Sequence, residues 1–286
     1  MALNPEQLLA ARIPEIEQHY DWRDCAIYSL GIGLGLDPMY EPDLPFLEET
    51  ATRAHPAMAN VLGYPGFWQR DPAFGLDWKR IVHGEHAFRL HRPLPAGGHV
   101  RGVSRITDVV DKGEDRGALI FVERQVTDAA TGELLATVNQ TIFSRGDGGF
   151  GGPARTLPTP HAIPQRAPDV VVPAPTSAQG AFIYRLSGDL NPLHSSPPAA
   201  RAAGFERPIL HGLATFGVVC HALMKSLCAS EPAGVRAMSG RFSAPVFPGE
   251  TLSVEIWREG DGASFRATVA ARSAVVVNNG YFEMGN

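Results

Sequence analysis

Two side chains able to move protons, Asp189 and His194, stand five residues apart in the stretch SGDLNPLH, which runs from Ser187 to His194. Asn191 is a good helix N-cap and Pro192 suits a first helical position, so a helical turn is predicted to begin there. Asp189 then sits in the loop before the turn and His194 near its third residue, with both side chains close to one helix N-terminus. The partial positive charge of such a terminus favours the neutral imidazole, which is the state a general base requires. Gly188 lets the backbone bend, and the Asn191 side chain either caps the turn or fixes a water. The same residues would equally well build a capped turn carrying a surface histidine, so spacing alone leaves both readings open.

The elements that would hold this pair are bounded by composition. The chain has 286 residues, 44% hydrophobic and 19% charged, which is globular composition with length for one large domain or two linked halves. A net charge of -5 and a pI near 6.1 give no electrostatic case for nucleic acid or an anionic membrane. Cys25, Cys220 and Cys228 form neither a CxxC nor an even framework, which fits a reducing compartment and argues against a disulfide scaffold or zinc site. The N-terminal stretch lacks a basic region followed by a long apolar run, so no signal peptide is expected. The longest apolar stretch, Ile209 to Leu227, is interrupted by His211, His221 and Lys225 and reads as a buried helix, not a membrane span. With no C-terminal peroxisomal signal evident either, a cytoplasmic protein is expected.

From Gly146 to Pro175 the chain is so dense in Gly and Pro that no regular element is expected, which makes 151–175 a connector between halves 1–150 and 176–286. The halves look related. AIYSLGIG from Ala26 aligns with FIYRLSGD from Phe182, and HPAMANV from His55 aligns with HGLATFG from His211, both at the separation that takes Tyr28 to Tyr184. RPLPAGGHV at Arg92 aligns with APVFPGETL at Ala244 at a slightly smaller one. Each half is predicted to hold a long apolar helix followed by four strand-like runs rich in Val, Ile, Phe and Thr, divided by turn residues. The expected class is α+β, with an antiparallel meander wrapped on a central helix twice over. Carried back between the halves, Asp189 falls on Gly33 and His194 on Pro38. A turn needed only for folding should persist in both copies, so its presence in one points to chemistry in the second half.

YRLSGDLNPLH followed by AGFERPILHGLATFG resembles the MaoC-like, R-specific 2-enoyl-CoA hydratases, related to the hydratase domain of peroxisomal multifunctional enzymes. The resemblance runs over nearly the whole chain, through RDCAIYSLGIG, IVHGEHAFRLHRPLP, VVDKG, GGFGG and FPGETLSVEIWREG. It implies a double hot-dog fold of two tandem antiparallel sheets, with the catalytic pair only in the C-terminal half. It also implies reversible hydration of a trans-2-enoyl-CoA to the (3R)-3-hydroxyacyl-CoA, CoA being part of the substrate and no separate cofactor being needed. A homodimer is implied as well.

Residue by residue, the resemblance makes Asp189 and His194 the acid/base pair and Asn191 their organiser. Gly212 offers its backbone N–H to the thioester oxygen, where adding water at C3 places negative charge; a helix N-terminus suits that role, although close helix packing would also explain a glycine there. His83 and Gly84 fall near the acyl or pantetheine part, Lys112 toward the CoA phosphates, and Phe242 along the tunnel, with Leu190, Pro192 and Leu193 completing the substrate contacts. Lys112 reads equally as a solvated hairpin lysine. Glu41 falls where some relatives have a functionally important glutamate, in a loop that otherwise matches poorly. The segment Val61 to Trp78 carries Tyr64, Phe67, Trp68, Phe74 and Trp78, aromatics suited either to lining an apolar acyl pocket or to closing the first half's core.

Two other functions use the same fold, a thioesterase whose water attacks the carbonyl carbon and a non-catalytic acyl-CoA-binding subunit. The GD-NP-H turn argues for the hydratase layout over the first, and the intact pair argues against the second. No metal site is expected, because the ten histidines are scattered and HGEH at His83 to His86 is too short and too near strands for a metal-binding helix.

Overall fold

Alternation of inward and outward side chains turns the eight predicted runs into antiparallel strands. The computed structural model describes residues 3–152, 155 and 157–285. The first half comprises α1 (Pro5–Ala10), β1 (Ile16–Tyr20), α2 (Trp22–Gly31), β2 (Ile81–Leu90), β3 (Gly98–Asp111), β4 (Ala118–Asp128) and β5 (Leu134–Ser144). After it come β6 (Val170–Pro175), α3 (Gly180–Tyr184), α4 (Pro197–Ala202), α5 (Gly212–Leu227), β7 (Val235–Phe242), β8 (Thr251–Glu259), β9 (Gly262–Val269) and β10 (Ala274–Met284). In β4 every second residue from Ala118 to Val126 is buried, the period-2 pattern of a strand with one face on a core. No helix among the described residues is long and apolar enough to cross a membrane.

The strands form one ten-stranded sheet in the order β1-β3-β4-β5-β2-β7-β10-β9-β8-β6. This order reads as the same pattern from either end, with β1 matching β6, β2 matching β7 and so on through β5 and β10. The repeat seen in the sequence is therefore a repeat of topology. The two tandem sheets are joined edge to edge: β2 pairs with β7, Glu85 lying opposite Arg241 and Phe88 opposite Met238. Each of these strands would otherwise expose an unpaired edge, and the fusion satisfies both.

Only the second half has the predicted long helix. α5 runs for 16 residues and buries every side chain from Ala214 to Met224. Its counterpart HPAMANV makes only a 3-10 turn over Pro56–Asn60. Gly63, Pro65 and Gly66 follow at once, and a helix cannot run through that punctuation. The connector also departs from expectation, since β6 lies inside it and pairs with β8. Pro173 and Pro175 are tolerated because β6 is an edge strand. Residues 153, 154 and 156 of the connector lie outside the described residues.

The matched tyrosines meet at the pseudo-symmetric centre. Tyr28 and Tyr184 are fully buried with ring centroids 5.7 Å apart, and each also lies beside its own half's matched histidine, Tyr28 at 6.1 Å from His55 and Tyr184 at 5.0 Å from His211. α5 reaches this centre through Gly217, where a Cβ would stand 2.6 Å from Ile32 Cγ2 and 3.1 Å from the Tyr28 hydroxyl. Gly217→Val should therefore lower folding stability by about 1–3 kcal/mol through overpacking. Urea denaturation of the two proteins checks this, and an unchanged midpoint would show that the helix can shift away.

Candidate active site

Asp189, Asn191 and His194 are placed by one tight turn. Gly188 takes φ 117°, a left-handed conformation open to glycine without strain, and reverses the chain after Ser187. The Asp189 carboxylate accepts from the Asn191 N–H at 3.1 Å, and Asn191 Oδ1 accepts from the Leu193 N–H at 3.1 Å, capping a 3-10 turn over Pro192–His194. The predicted N-cap and first position are thus where expected. Three residues of 3-10 helix have little dipole, however, and a different force keeps the imidazole neutral. His194 is buried, and desolvation lowers its pKa below the ordinary histidine value against the opposing pull of Asp189. Its Nδ1 donates to the Ile209 carbonyl at 2.9 Å, which fixes the proton on Nδ1 and leaves Nε2 with a free lone pair.

His211, the N-cap residue of α5, completes the group and was missed as a site residue in the sequence. Its ring stacks on His194 at 3.8 Å between centroids, and its Nε2 donates to the Asp189 carbonyl at 3.1 Å. The turn is therefore tied to the start of α5. Burial and the neighbouring His194 push the His211 pKa down to about 3. Asp189, His194 and His211 each bring one potential ligand atom within 4.8 Å of the others, a clustering that residues so scattered in sequence do not suggest. Two of the four ring nitrogens in this trio already donate to backbone carbonyls. Next in the chain is Gly212, the first residue of a 16-residue helix, whose N–H has no acceptor within the helix.

Asp189, Asn191, His194 and Gly212 open onto one cavity of about 1150 Å³ that extends beneath both halves of the sheet. Of the predicted residues, His83, Gly84, Asp189, Asn191, Leu193, His194, Gly212 and Phe242 line it. The Phe242 ring meets His83 edge-on at 4.8 Å, and its Cζ comes 3.5 Å from where a Gly212 Cβ would be. Lys112 is not among the lining residues and sits in the β3–β4 hairpin, its N–H bonded to the Gly117 carbonyl. Leu190 and Pro192 are exposed and do not line the cavity either. Glu41 opens a 3-10 turn elsewhere, while its neighbour Asp43 is buried with its carboxylate 3.1 Å from His221 Nε2. Exposed cations at the cavity wall come instead from Lys79, Arg80 and Arg145.

The aromatic segment divides between its two expected roles. Tyr64 and Phe67 line the cavity, Trp68 lines it while packing on Phe74 at 4.7 Å, and Phe74 itself belongs to the smaller core under β3–β5. Trp78 supports Phe67 edge-on at 6.0 Å. The first half's wall is polar as well as aromatic: His86 Nε2 donates to Asn60 Oδ1 at 2.9 Å and its Nδ1 accepts from His83 Nε2 at 3.2 Å.

Comparison with known proteins accounts for this architecture. Residues 18–146 match the MFE-2 hydratase 2 N-terminal domain and residues 160–279 the MaoC like domain. The chain is 37% identical to the enoyl-CoA hydratase ChsH3 of Mycobacterium tuberculosis, over 98% of both chains. It is 37% identical to the peroxisomal enoyl-CoA hydratase 2 of Arabidopsis thaliana, over 96% of this chain and 93% of that one. A MaoC-like dehydratase from Phytophthora capsici superposes with a TM-score of 0.85 at 34% identity, covering 98% of each chain. A Mycobacterium tuberculosis protein described as a double hotdog, 15% identical over 96% of both chains, shares the fold at a TM-score of 0.56. The protein is thus a double hot-dog of the α+β class. It belongs to the family of MaoC-like dehydratases and hydratase 2 enzymes.

Burial holds His55, His83, His86, His194 and His211 neutral, each with a pKa below its ordinary value, down to about 4 for His83. In the unfolded chain these groups protonate near pH 6.5, so between that pH and their lowered values the unfolded state binds more protons. Stability should then hold above about pH 7 and fall as the pH drops from 6.5 to 5, by up to roughly 1.4 kcal/mol per pH unit for each imidazole kept neutral. Urea midpoints across this range check it, and a constant midpoint down to pH 5 would contradict the burial of neutral rings.

Proposed function

We propose that this protein reversibly hydrates trans-2-enoyl-CoA thioesters to (3R)-3-hydroxyacyl-CoAs. The observation that carries the reading is the neutral His194 with its free Nε2, beside the Asp189 carboxylate and facing the same cavity as the unpaired Gly212 N–H. Relatives named as enoyl-CoA hydratases and a 3-hydroxyacyl-thioester dehydratase support it. His194 Nε2 accepts a proton from the water that attacks C3. The Asp189–His194 pair returns a proton to C2, so H and OH are both added and the enzyme ends as it began. Charge that develops on the thioester oxygen meets the Gly212 N–H at the start of α5, a donor of a kind typically contributing about 3 kcal/mol. His211 holds the turn in register through the Asp189 carbonyl and acts as a positioning residue. CoA enters as part of the substrate, and the chain's own residues supply both proton transfers without a cofactor.

The exposed Lys79, Arg80 and Arg145 are the cations we assign to the CoA phosphates, in place of Lys112. Two further readings complete the proposal. The exposed apolar side chains of Met39, Phe182, Leu186 and Leu190 fit a homodimer contact. The three free cysteines fit the reducing cytoplasm.

Asp189→Asn and His194→Ala should each lower kcat on the order of 100-fold or more while the fold is kept. The assay is loss of enoyl-thioester absorbance, with chiral analysis of the product. Retention of kcat within a few-fold would overturn the assignment of the pair, and release of free CoA would replace hydration by thioester hydrolysis.

Phe67→Ala should change chain-length preference more than it changes crotonyl-CoA turnover, because a buried methylene contributes up to about 0.8 kcal/mol. Equal losses on all chain lengths would assign Phe67 to structure alone.

A further inference from the structure

Arg124 is the only buried arginine or lysine among the described residues, 6% exposed on the inner face of β4. Its Nη2 donates to the carbonyls of Ala59 at 3.2 Å and Asn60 at 2.7 Å, and its guanidinium lies 5.4 Å over the Tyr64 ring. These contacts fix the group in place without matching its charge. Nε has no partner, and the side chains that act most on the cation are the hydroxyls of Tyr64 and Tyr184, which are neutral. Burial lowers the guanidinium pKa only to about 10, so it stays charged. An isolated charge is costly to bury, and capping two carbonyls does not require one.

The neighbours are short of partners too. Asn60 Nδ2 and Gln69 Oε1 are buried without hydrogen bonds, and Asn60, Gln69 and Arg124 all line the cavity that holds the catalytic pair. Register along β5 orders the cavity. Arg124 lies opposite Val138, His83 opposite Ile142, and the exposed Arg145 follows β5 beyond Ser144. At about 3.3 Å per residue, the Arg124 row is roughly 13 Å along the strand from the His83 row, on the side away from Arg145. A thioester held at His83, Phe242 and Gly212, with its phosphates toward the exposed cations, therefore sends its acyl group toward Arg124.

We propose that this deep end is a subsite for an acyl group bearing an oxygen function, as a carboxylate, ketone or hydroxyl, with Arg124 and Asn60 Nδ2 donating to that oxygen and Gln69 Oε1 accepting from it where it is a hydroxyl. The inference rests on the hydratase reading of the site. It makes the first half a reader of acyl polarity as well as of acyl bulk.

The test compares short- and medium-chain trans-2-enoyl-CoAs of equal length that end in a methyl, a hydroxyl or a carboxylate. For at least one length, kcat/KM should favour an oxygenated acyl group by about tenfold or more, the low end of what a charge-assisted hydrogen bond contributes. A carboxylate preference assigns an anionic substrate, and a hydroxyl preference a neutral one. Arg124→Met should bring the ratio close to one and Arg124→Lys should restore part of it; even if Arg124→Met fails to fold, Arg124→Lys should lower the ratio below that of the parent, and Gln69→Leu, which leaves the Ala59 and Asn60 caps intact, should lower a hydroxyl preference. Calorimetric binding of the matched saturated acyl-CoAs should show the same order without chemistry. A methyl-terminated chain preferred or equal at every length, in turnover and in binding, overturns the subsite. Absence of turnover with all of them overturns the hydratase reading instead, and the binding series still decides the subsite.

Discussion

Between Glu85 and Arg89 the backbone of β2 pairs with residues 237–241 of β7, and through this short antiparallel ladder two repeated halves become one sheet. The ladder is clasped at both ends, by Arg241 with Glu85 and by Arg89 with Glu283. Walls of the cavity that come from different halves meet across it. His83 and His86 on β2 contact Phe242 on β7 and Phe216 on α5, at 4.8 and 5.2 Å between ring centroids. A site assembled this way is only as well defined as the seam above it, because neither half alone encloses it.

The two copies differ most in what each lacks. The second kept the long helix, and with it a helix N-terminus to place His211 and Gly212 beside the Asp189 turn. The first lost the helix to Gly63, Pro65 and Gly66, and the inner faces of β2, β4 and β5 that a helix would have covered line the cavity instead. The volume a helix would have filled in one repeat is thus open cavity beside the Asp189–His194 turn of the other. The side chains that line this space, Tyr64, Phe67, Trp68 and Arg124, give it a character the second half does not dictate.

Much of this was legible in residue order. Runs rich in Val, Ile, Phe and Thr between turn residues located eight of the ten strands, and Asn191–Pro192 marked a real turn start. β6 was hidden because prolines usually exclude a strand, and only its place at the sheet's edge makes Pro173 and Pro175 compatible with one. The first half's missing helix was hidden by the strength of the internal match, which outweighed the punctuation after Val61. His211 could not be found as a partner of His194, since stacking across a loop of this length is set by tertiary packing. Arg124 left a signal that went unread: in FVERQVT it falls on the same strand face as Val122 and Val126, a charge where the period demands an apolar residue.

The open ends of the sheet have a consequence for how copies of this chain can meet. A free strand edge invites another chain to add itself through backbone hydrogen bonds, and a ten-stranded sheet has two such invitations. At β6 the prolines at 173 and 175 withdraw two donors from the ladder, and at β1 only five residues are on offer. Growth by strand addition is discouraged at both margins, while the apolar side chains of Phe182, Leu186 and Leu190 stand exposed away from them. Those residues lie in or immediately before the turn that carries Asp189. A second copy seated there, as in the homodimer proposed above, would press on the Asp189 turn, and the quaternary arrangement would be a mechanical support of that turn.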